Sequence, residues 1–186
     1  MTDTIPVRRP RFTIAVASVL SFAVSASAHA ACAGAGAVPS GSNTAKVRKA
    51  TLCLLNVQRR AHGLQNLRQN AKLRTAAAGY SRQMVRQGFF SHESPDGSTL
   101  QSRVTATHYL DGAHGWGIGE NIAWGTGGLG TPRSIVRAWM HSPGHRANIL
   151  NGTFRDIGIG IAPGAPIPHG AAATGGTYPT DLGYRG

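Results

Sequence analysis

Isoleucine and glycine alternate over five residues in the last quarter of the chain, from Ile157 to Ile161. A period of two is that of a β-strand, which we predict over residues 154–162. One face of this strand carries bulky side chains and the other carries none. The bare face indicates that a neighbouring backbone or ring packs closely against Gly158 and Gly160. The fold therefore needs a sheet with another element packed directly on it.

Helical periodicity comes earlier in the chain than this strand. Apolar residues recur at helical spacing over residues 44–62 and 71–87, and each segment is followed by a glycine that would end a helix, Gly63 or Gly88. Asn70 is a typical N-cap residue for the second segment. Both segments are predicted to be helices.

Shorter elements are predicted in the rest of the sequence. Thr131-Pro132 supplies an N-cap followed by proline at the first helical position, and Pro143-Gly144 would break the helix that begins there. The predicted elements are a helix at residues 100–106, a strand at 120–124, a helix at 133–140 and a last strand at 177–184. Because helices come first and strands last, without a β-α-β rhythm, the pattern favours an α+β sandwich over a Rossmann-like fold.

The first 30 residues have the pattern of a secretory signal. Three arginines precede an apolar run at residues 12–24, and an Ala-His-Ala cleavage site ends at Ala30. The apolar run is too short to span a membrane, and we predict no transmembrane segment in the mature chain. Arg8-Arg9 also gives a weak indication of twin-arginine export. The protein is therefore predicted to be secreted, or retained in the cell envelope.

The composition is strongly basic. The chain has 19 Lys and Arg against 7 Asp and Glu, a formal charge of +12 at pH 7. Cleavage after Ala30 would remove three Arg and Asp3, which lowers that charge to +10. An exported domain with this charge meets anionic lipid and envelope polymers first, so we expect an anionic envelope partner and no nucleic acid. The alternative is that the charge serves only to keep the domain soluble.

Cys32 and Cys53 are the only cysteines. Exported proteins fold in an oxidising compartment, so we predict that the two residues are paired. The bond would tie a Gly/Ala/Ser-rich leader, residues 31–44, to the first helix, and it would leave no cysteine nucleophile. The alternative is a lipoprotein signal with Cys32 acylated, although His29 stands where such signals carry an aliphatic residue.

Three short motifs place an ionisable residue among turn-forming residues. They are Phe90-Ser91-His92, Gly119-Glu120-Asn121-Ile122 and Ser142-Pro143-Gly144-His145. Together His92, Glu120 and His145 have the donor types of a site for Zn²⁺ or another divalent ion. Taken separately, each histidine is more simply a hydrogen-bonded side chain, and Glu120 can accept backbone N–H bonds or orient an imidazole.

Other chemistries lack their usual residues. The sequence contains no G-x-S-x-G nucleophile elbow, no P-loop and no C-x-x-C pair. His141 and His145 are four residues apart, as in helical zinc proteases, but no glutamate follows His141 and Pro143-Gly144 interrupts the helix. Acyl transfer through serine and a helical zinc-protease site are therefore disfavoured.

Five ordered segments resemble signatures of the CAP superfamily, also called the SCP-like extracellular domain, in its bacterial form. They read LLNVQR, FSH, GENIAWG, SPGHRANIL and DIGIG, and they begin at Leu54, Phe90, Gly119, Ser142 and Asp156. The resemblance runs from about residue 47 to residue 183, nearly the whole mature chain. It assigns residues 45–186 to one CAP/SCP-like domain.

The resemblance implies a three-layer α-β-α sandwich with a central cleft. Animal and plant members place two His and two Glu in that cleft, and some bind divalent metal there. His92, Glu120 and His145 match three of the four positions, whereas the second Glu would fall where this chain has Ser142, which weakens the expected metal affinity. The closing strand departs from the family's aromatic-rich pattern, and Pro179 predicts an edge position or a bend.

Four further residues resemble family positions with a structural role. Asn56 and Arg59 match the family's Asn-x-x-Arg pair, and we expect Arg59 to pair with a late acidic residue such as Asp181 rather than to bind a ligand. Arg146 and Asn148 are expected to hold the loop around His145.

Two functions are consistent with the sequence. The first is a secreted or envelope-associated binding module whose cleft, with His92, Glu120 and His145, holds a lipid, glycan or peptide group. The second is a divalent-metal-assisted hydrolase that uses the same cleft, with Glu120 as the candidate catalytic residue. We favour the module, on analogy with the family as much as on physical grounds.

Overall fold

The computed structural model describes residues 32–167 and 174–186. The predicted signal segment and part of the loop before the last strand lie outside the described residues. The helices are α1 Thr44–Ala61, α2 Ala71–Gln87, α3 Leu100–Ala106, α4 Pro132–His141 and α5 Pro143–Ile149, with a 3₁₀ turn at Gly127–Gly130. The strands are β1 Arg68–Gln69, β2 Trp116–Thr126, β3 Asp156–Ile159, β4 Ala162–Pro163 and β5 Gly175–Arg185.

The described strands form one mixed sheet in the order β1-β3-β5-β2, with β4 also paired to β5. The β1–β3 pair is parallel, and β5 runs antiparallel to β2, β3 and β4. One apolar core lies between the sheet and α1, α4 and α5, and smaller cores lie under α2 and α3. The α+β class and the α-β-α sandwich are therefore confirmed.

Local capping explains why the helices begin and end where they do. Asn70 Oδ1 accepts the backbone N–H of Lys72 at 2.9 Å, and Gly88 ends α2 with φ of 67°. Thr131 caps α4, as predicted. Residues after Pro143 were expected to be a loop, but they form α5, because proline is well tolerated at the first position of a new helix.

The isoleucine–glycine alternation has the structural role that the sequence predicts. Ile157 and Ile159 are fully buried on one face of β3. On the other face, a Cβ atom on Gly158 would lie 2.0 Å from the carbonyl carbon of Leu73, and one on Gly160 would lie 2.1 Å from the carbonyl oxygen of Ala77. Only glycine allows the α2 backbone to pack this closely.

Two strand predictions need correction. β3 ends at Ile159 and β4 is a separate short strand, where the sequence predicted one strand over residues 154–162. Of the two positions predicted for Pro179, an edge or a bend, the edge is wrong, because Pro179 lies in the central strand β5, opposite Ile122 of β2. Its carbonyl accepts the N–H of Gly160, so its own nitrogen faces the break between β3 and β4, where a missing donor breaks no ladder bond.

The predicted disulfide between Cys32 and Cys53 is present, with the two Cα atoms 5.7 Å apart. Since the Cys32 sulfur lies in this bond, the alternative of acylation at Cys32 is wrong. The leader also packs on the domain: Ala35 is buried, and its carbonyl accepts the N–H of Arg133 at 2.9 Å. Among the described residues, no helix has the length and hydropathy needed to cross a bilayer.

Candidate functional site

Glu120 lies at the centre of the candidate site, and both of its carboxylate oxygens are engaged. Oε1 lies 2.7 Å from Nδ1 of His92, and Oε2 accepts a hydrogen bond from Nη2 of Arg103 at 2.8 Å. The Glu120 side chain is 2% exposed and that of Arg103 is 9% exposed. A buried carboxylate thus has an imidazole on one oxygen and a guanidinium on the other.

Amide hydrogen bonds join the Glu120 motif to the His145 motif. Asn148 Nδ2 donates to the carbonyl of Glu120 at 3.2 Å and to Oδ1 of Asn121 at 2.9 Å. Asn121 Nδ2 in turn donates to the carbonyl of His145 at 3.0 Å. A Cβ on Gly119 would come within 3.2 Å of Asn148 Oδ1, so a larger residue would disturb this join. The two motifs therefore meet through Asn121 and Asn148.

Arg103 and Tyr80 complete one wall of the site. The guanidinium carbon of Arg103 lies 3.4 Å from the centre of the Tyr80 ring, and Arg103 also donates to the carbonyl of His92. The Tyr80 hydroxyl donates to the carbonyl of Ser91 at 2.5 Å. Both residues therefore fix the segment that carries His92, and burial raises the pKa of Tyr80 to about 12.

Asp181 faces Glu120 across the β2–β5 pair. The residue is 1% exposed. Burial first, and then the negative charge of Glu120, raise the pKa of Asp181 well above its usual range. The site thus contains two carboxyl groups, and burial favours the protonated form of Asp181.

His92 is held by Glu120 but remains open to solvent. Its side chain is 59% exposed, and the hydrogen bond to Glu120 raises the pKa of the imidazole, while partial burial opposes that effect. Because Nδ1 is occupied by Glu120, Nε2 is the nitrogen left to contact a ligand. His92 is therefore an oriented, exposed imidazole with an increased tendency to be protonated.

His145 is half-buried on α5, with its ring centre 6.5 Å from that of Trp139. Burial lowers the pKa of His145, and the nearby positive charge of His92 lowers it further. The two imidazoles are thus close enough to interact electrostatically, and their proton affinities shift in opposite directions.

The geometry does not fit Glu120 as a metal ligand. Within residues 32–167 and 174–186, no three His, Cys, Asp or Glu side chains are placed to hold an ion together. Arg103 already occupies the second oxygen of Glu120, and a divalent cation there would be repelled by the guanidinium. Glu120 is placed to orient His92, and zinc binding stays a prediction that involves the two imidazoles at most.

Asn56 and Arg59 hold the backbone beside the first core. Asn56 forms a reciprocal pair of hydrogen bonds with the main chain of Leu67. Arg59 is fully buried and donates to four carbonyl oxygens, those of Gln65, Ile149, Asn151 and Phe154. The prediction that Arg59 pairs with Asp181 is wrong, because carbonyl oxygens already use its guanidinium donors.

Arg146 and Asn148 make contacts with different parts of the structure. Asn148 contacts β2 beside Glu120, as described above, whereas Arg146 is exposed and its Nη2 lies 3.2 Å from Nε2 of His62. The segment that contains His145 is a helix and not a loop. Asn148 joins this helix to β2, and Arg146 contacts His62 at the end of α1.

Sequence reasoning missed Arg103, Tyr80 and Asp181 as site residues. Arg103 and Tyr80 lie on helices and carried no motif. Asp181 faces Glu120 only because β5 pairs with β2 in one register. The one signal available in the sequence was that Asp181 is an acidic residue within a predicted strand.

A model of the family described as "CAP: Cysteine-rich secretory protein family" matches residues 52–168. This chain belongs to the CAP family. The predicted family is thereby confirmed, and His92, Glu120 and His145 lie within the matched residues.

Two proteins of Bacillus subtilis (strain 168) are similar in sequence. The uncharacterised protein YkwD is 34% identical over 131 residues, which cover 68% of this chain and 46% of YkwD. The uncharacterised membrane protein YlbC is 34% identical over 113 residues, which cover 61% of this chain and 31% of YlbC. The CAP chain thus spans less than half the length of either relative.

Solved structures show the same fold. An extracellular protein containing an SCP domain from Bacillus anthracis has a TM-score of 0.57 and 24% identity, over 77% of this chain and 44% of that one. An outer surface protein of Borrelia burgdorferi has a TM-score of 0.62 and 19% identity, over 77% of this chain and 96% of that one. At these identities the similarity shows the fold alone.

Proposed function

We propose that this CAP protein is a secreted binding module that remains at the cell envelope and holds a ligand at His92. The observation that carries the proposal is the use of both Glu120 oxygens, by His92 and by Arg103. A carboxylate bound in this way is a poor general base, but it orients an imidazole firmly. His92 then presents Nε2 to an anionic or hydrogen-bond-accepting group of the ligand.

The net charge supports retention at the envelope. The formal charge of +10 that remains after the predicted cleavage attracts anionic lipid and anionic polymers, and this attraction is screened by salt. The export of the chain and the predicted cleavage after Ala30 belong to the same proposal.

Two variants test the His92 part of the proposal. The mature protein, residues 31–186, is mixed with purified cell-wall sacculi or with phosphatidylglycerol vesicles, and the bound fraction is measured. We expect His92→Gln to reduce binding to one of the two targets, while His114→Gln, which removes an exposed imidazole elsewhere, leaves it unchanged. Equal binding of wild type and His92→Gln to both targets would overturn this part.

A salt series tests the envelope part. Binding to both targets should fall steeply between about 50 and 200 mM salt, because exposed charges are screened over about 10 Å at 0.1 M. Failure of the wild-type protein to bind either target at the lowest salt would contradict envelope retention, whatever the result for His92→Gln.

The alternative proposal is a metal-assisted hydrolase. It is favoured by the lowered pKa of His145, because neutral imidazole is the metal-binding form. Since Arg103 holds Glu120, we expect Zn²⁺ to bind more weakly than micromolar in calorimetry, and Arg103→Gln to strengthen binding by freeing a carboxylate oxygen. Micromolar affinity that is lost in His92→Ala would favour the hydrolase over the module.

A further inference from the structure

Three arginines line one surface cavity on the side of the molecule formed by α1 and α2. Arg48 comes from α1, and Arg74 and Arg82 come from α2. The cavity has a volume of about 320 Å³, and Thr75 and Ala78 form the rest of its lining. Arg74 and Arg82 are two helical turns apart and lie on the same side of α2.

Among the described residues, these arginines have no acidic partner. In residues 32–167 and 174–186, the ion pairs are those of Glu120 with His92 and Arg103 and that of Asp111 with His108. In the same part of the chain, Arg48 Nε is buried without a hydrogen-bond partner. A buried donor without a partner costs free energy, and so does the mutual repulsion of the guanidinium groups.

The position of Arg74 adds to this cost. Arg74 lies at the N-terminal end of α2, whose first turn contains no acidic residue. The positive end of the helix dipole disfavours a cation there and favours an anion. The contact of Gly158 with the backbone of Leu73 and Arg74 holds this end of α2 on the sheet, so Arg74 stays beside Arg48.

We propose that this cavity is a binding site for a phosphate group. A tetrahedral oxyanion has enough oxygens to accept bonds from more than one guanidinium, whereas a single arginine already matches a carboxylate. The site rests on the proposed function, because it names where an anionic envelope partner binds. It shares no residue with the His92 site, so the two can fail separately.

The decisive experiment is a titration of the full-length protein with inorganic phosphate at constant ionic strength, followed by NMR. We expect a saturable shift of the guanidinium resonances of Arg48, Arg74 and Arg82, because these three side chains line the cavity. A shift of the same size with sodium chloride alone would overturn the proposal.

Variants locate the site. Arg74→Gln and Arg82→Gln should each weaken phosphate binding about tenfold, the loss of one charge-assisted contact. The matched control is Arg60→Gln with Arg133→Gln, which removes exposed charges elsewhere. Equal weakening by the control and by the cavity variants would overturn the proposal in favour of general surface charge.

Phosphatidylglycerol vesicles identify the source of the phosphate. If Arg74→Gln weakens binding to both vesicles and inorganic phosphate, the site takes a lipid headgroup. If it weakens only phosphate binding, the site takes a soluble or polymer-borne phosphate. Vesicle binding without any binding of inorganic phosphate would overturn the proposal, while salt-dependent retention at the envelope could still hold.

Discussion

Glu120 and Asp181 face each other across the β2–β5 pair, both residues are buried, and Glu120 contacts the exposed ring of His92. Arg103 compensates only one negative charge at this position. The second carboxyl group therefore keeps its proton, and the pair contributes a pH-dependent term to the stability of the domain.

Asp181→Asn should remove the pH-dependent contribution of this carboxyl pair to the stability of the domain. Because the pKa of Asp181 is raised in the folded state, the folded protein binds more protons than the unfolded chain above about pH 4, and stability falls as the pH rises. The stability of Asp181→Asn relative to wild type should therefore increase from pH 4 to pH 7. Urea unfolding at each pH measures the difference.

The control for this experiment is Asp111→Asn, which removes an exposed carboxylate. The comparison separates the effect of a buried carboxyl group from the loss of one carboxylate. A stability difference for Asp181→Asn that stays constant or shrinks with rising pH would mean that Asp181 is ionised in the folded protein.

The two site histidines should titrate at different pH values. The hydrogen bond to Glu120 raises the pKa of His92, whereas burial and the charge of His92 lower the pKa of His145. NMR titration of the imidazole resonances measures both. Glu120→Gln should lower the pKa of His92, and His92→Gln should raise that of His145, because a neighbouring positive charge is lost.

The sign of the associated stability effect follows from the direction of the His92 shift. Since its pKa is raised in the folded state, the stabilisation from protonated His92 is complete below about pH 6.5 and is lost as the pH rises through the folded-state pKa. A pKa of His92 that is unchanged in Glu120→Gln would contradict the role of Glu120 as its partner.

Arg59→Met should destabilise the domain by about 3 kcal/mol or more, because four carbonyl oxygens lose a charged donor inside the protein. Arg59→Lys should recover part of the loss, since an ammonium group reaches fewer of these oxygens. Chemical denaturation measures both. Arg60→Met, at the exposed neighbouring position, should change stability by less than about 0.5 kcal/mol.

Replacement of Cys32 and Cys53 by serine should lower the free energy of unfolding by roughly 3 kcal/mol, the expected value for a loop of this length. Reduction of the wild-type protein should give a similar loss. A thiol assay on the denatured, unreduced protein should find no free thiol, and two free thiols would contradict the pairing.

The sequence best predicts those structural features that depend on interactions between residues close in the chain. The bounds of α2 follow from Asn70 and Gly88, whose capping roles need no tertiary contact. β2 was predicted over residues 120–124 but extends from Trp116 to Thr126. Its flanking glycines have little strand propensity, and they are extended because they pair with β5.

The candidate site likewise contains residues that the sequence predicts and residues that it does not. His92, Glu120 and His145 lie in recognisable motifs, and the amide contacts of Asn148 bring the last two motifs together. The partners Arg103 and Asp181 come from a helix and a strand distant in sequence. Their roles depend on the register of packed elements, which composition and spacing do not contain.

One consequence follows from the two glycines of the β3 segment. Gly158 and Gly160 fix α2 on the sheet, and α2 carries Tyr80 toward the His92 site and Arg82 toward the arginine cavity. A methyl group added at Gly160 would push α2 away from the sheet as a rigid body. A mutation at Gly160 would therefore displace residues of both the His92 site and the arginine cavity.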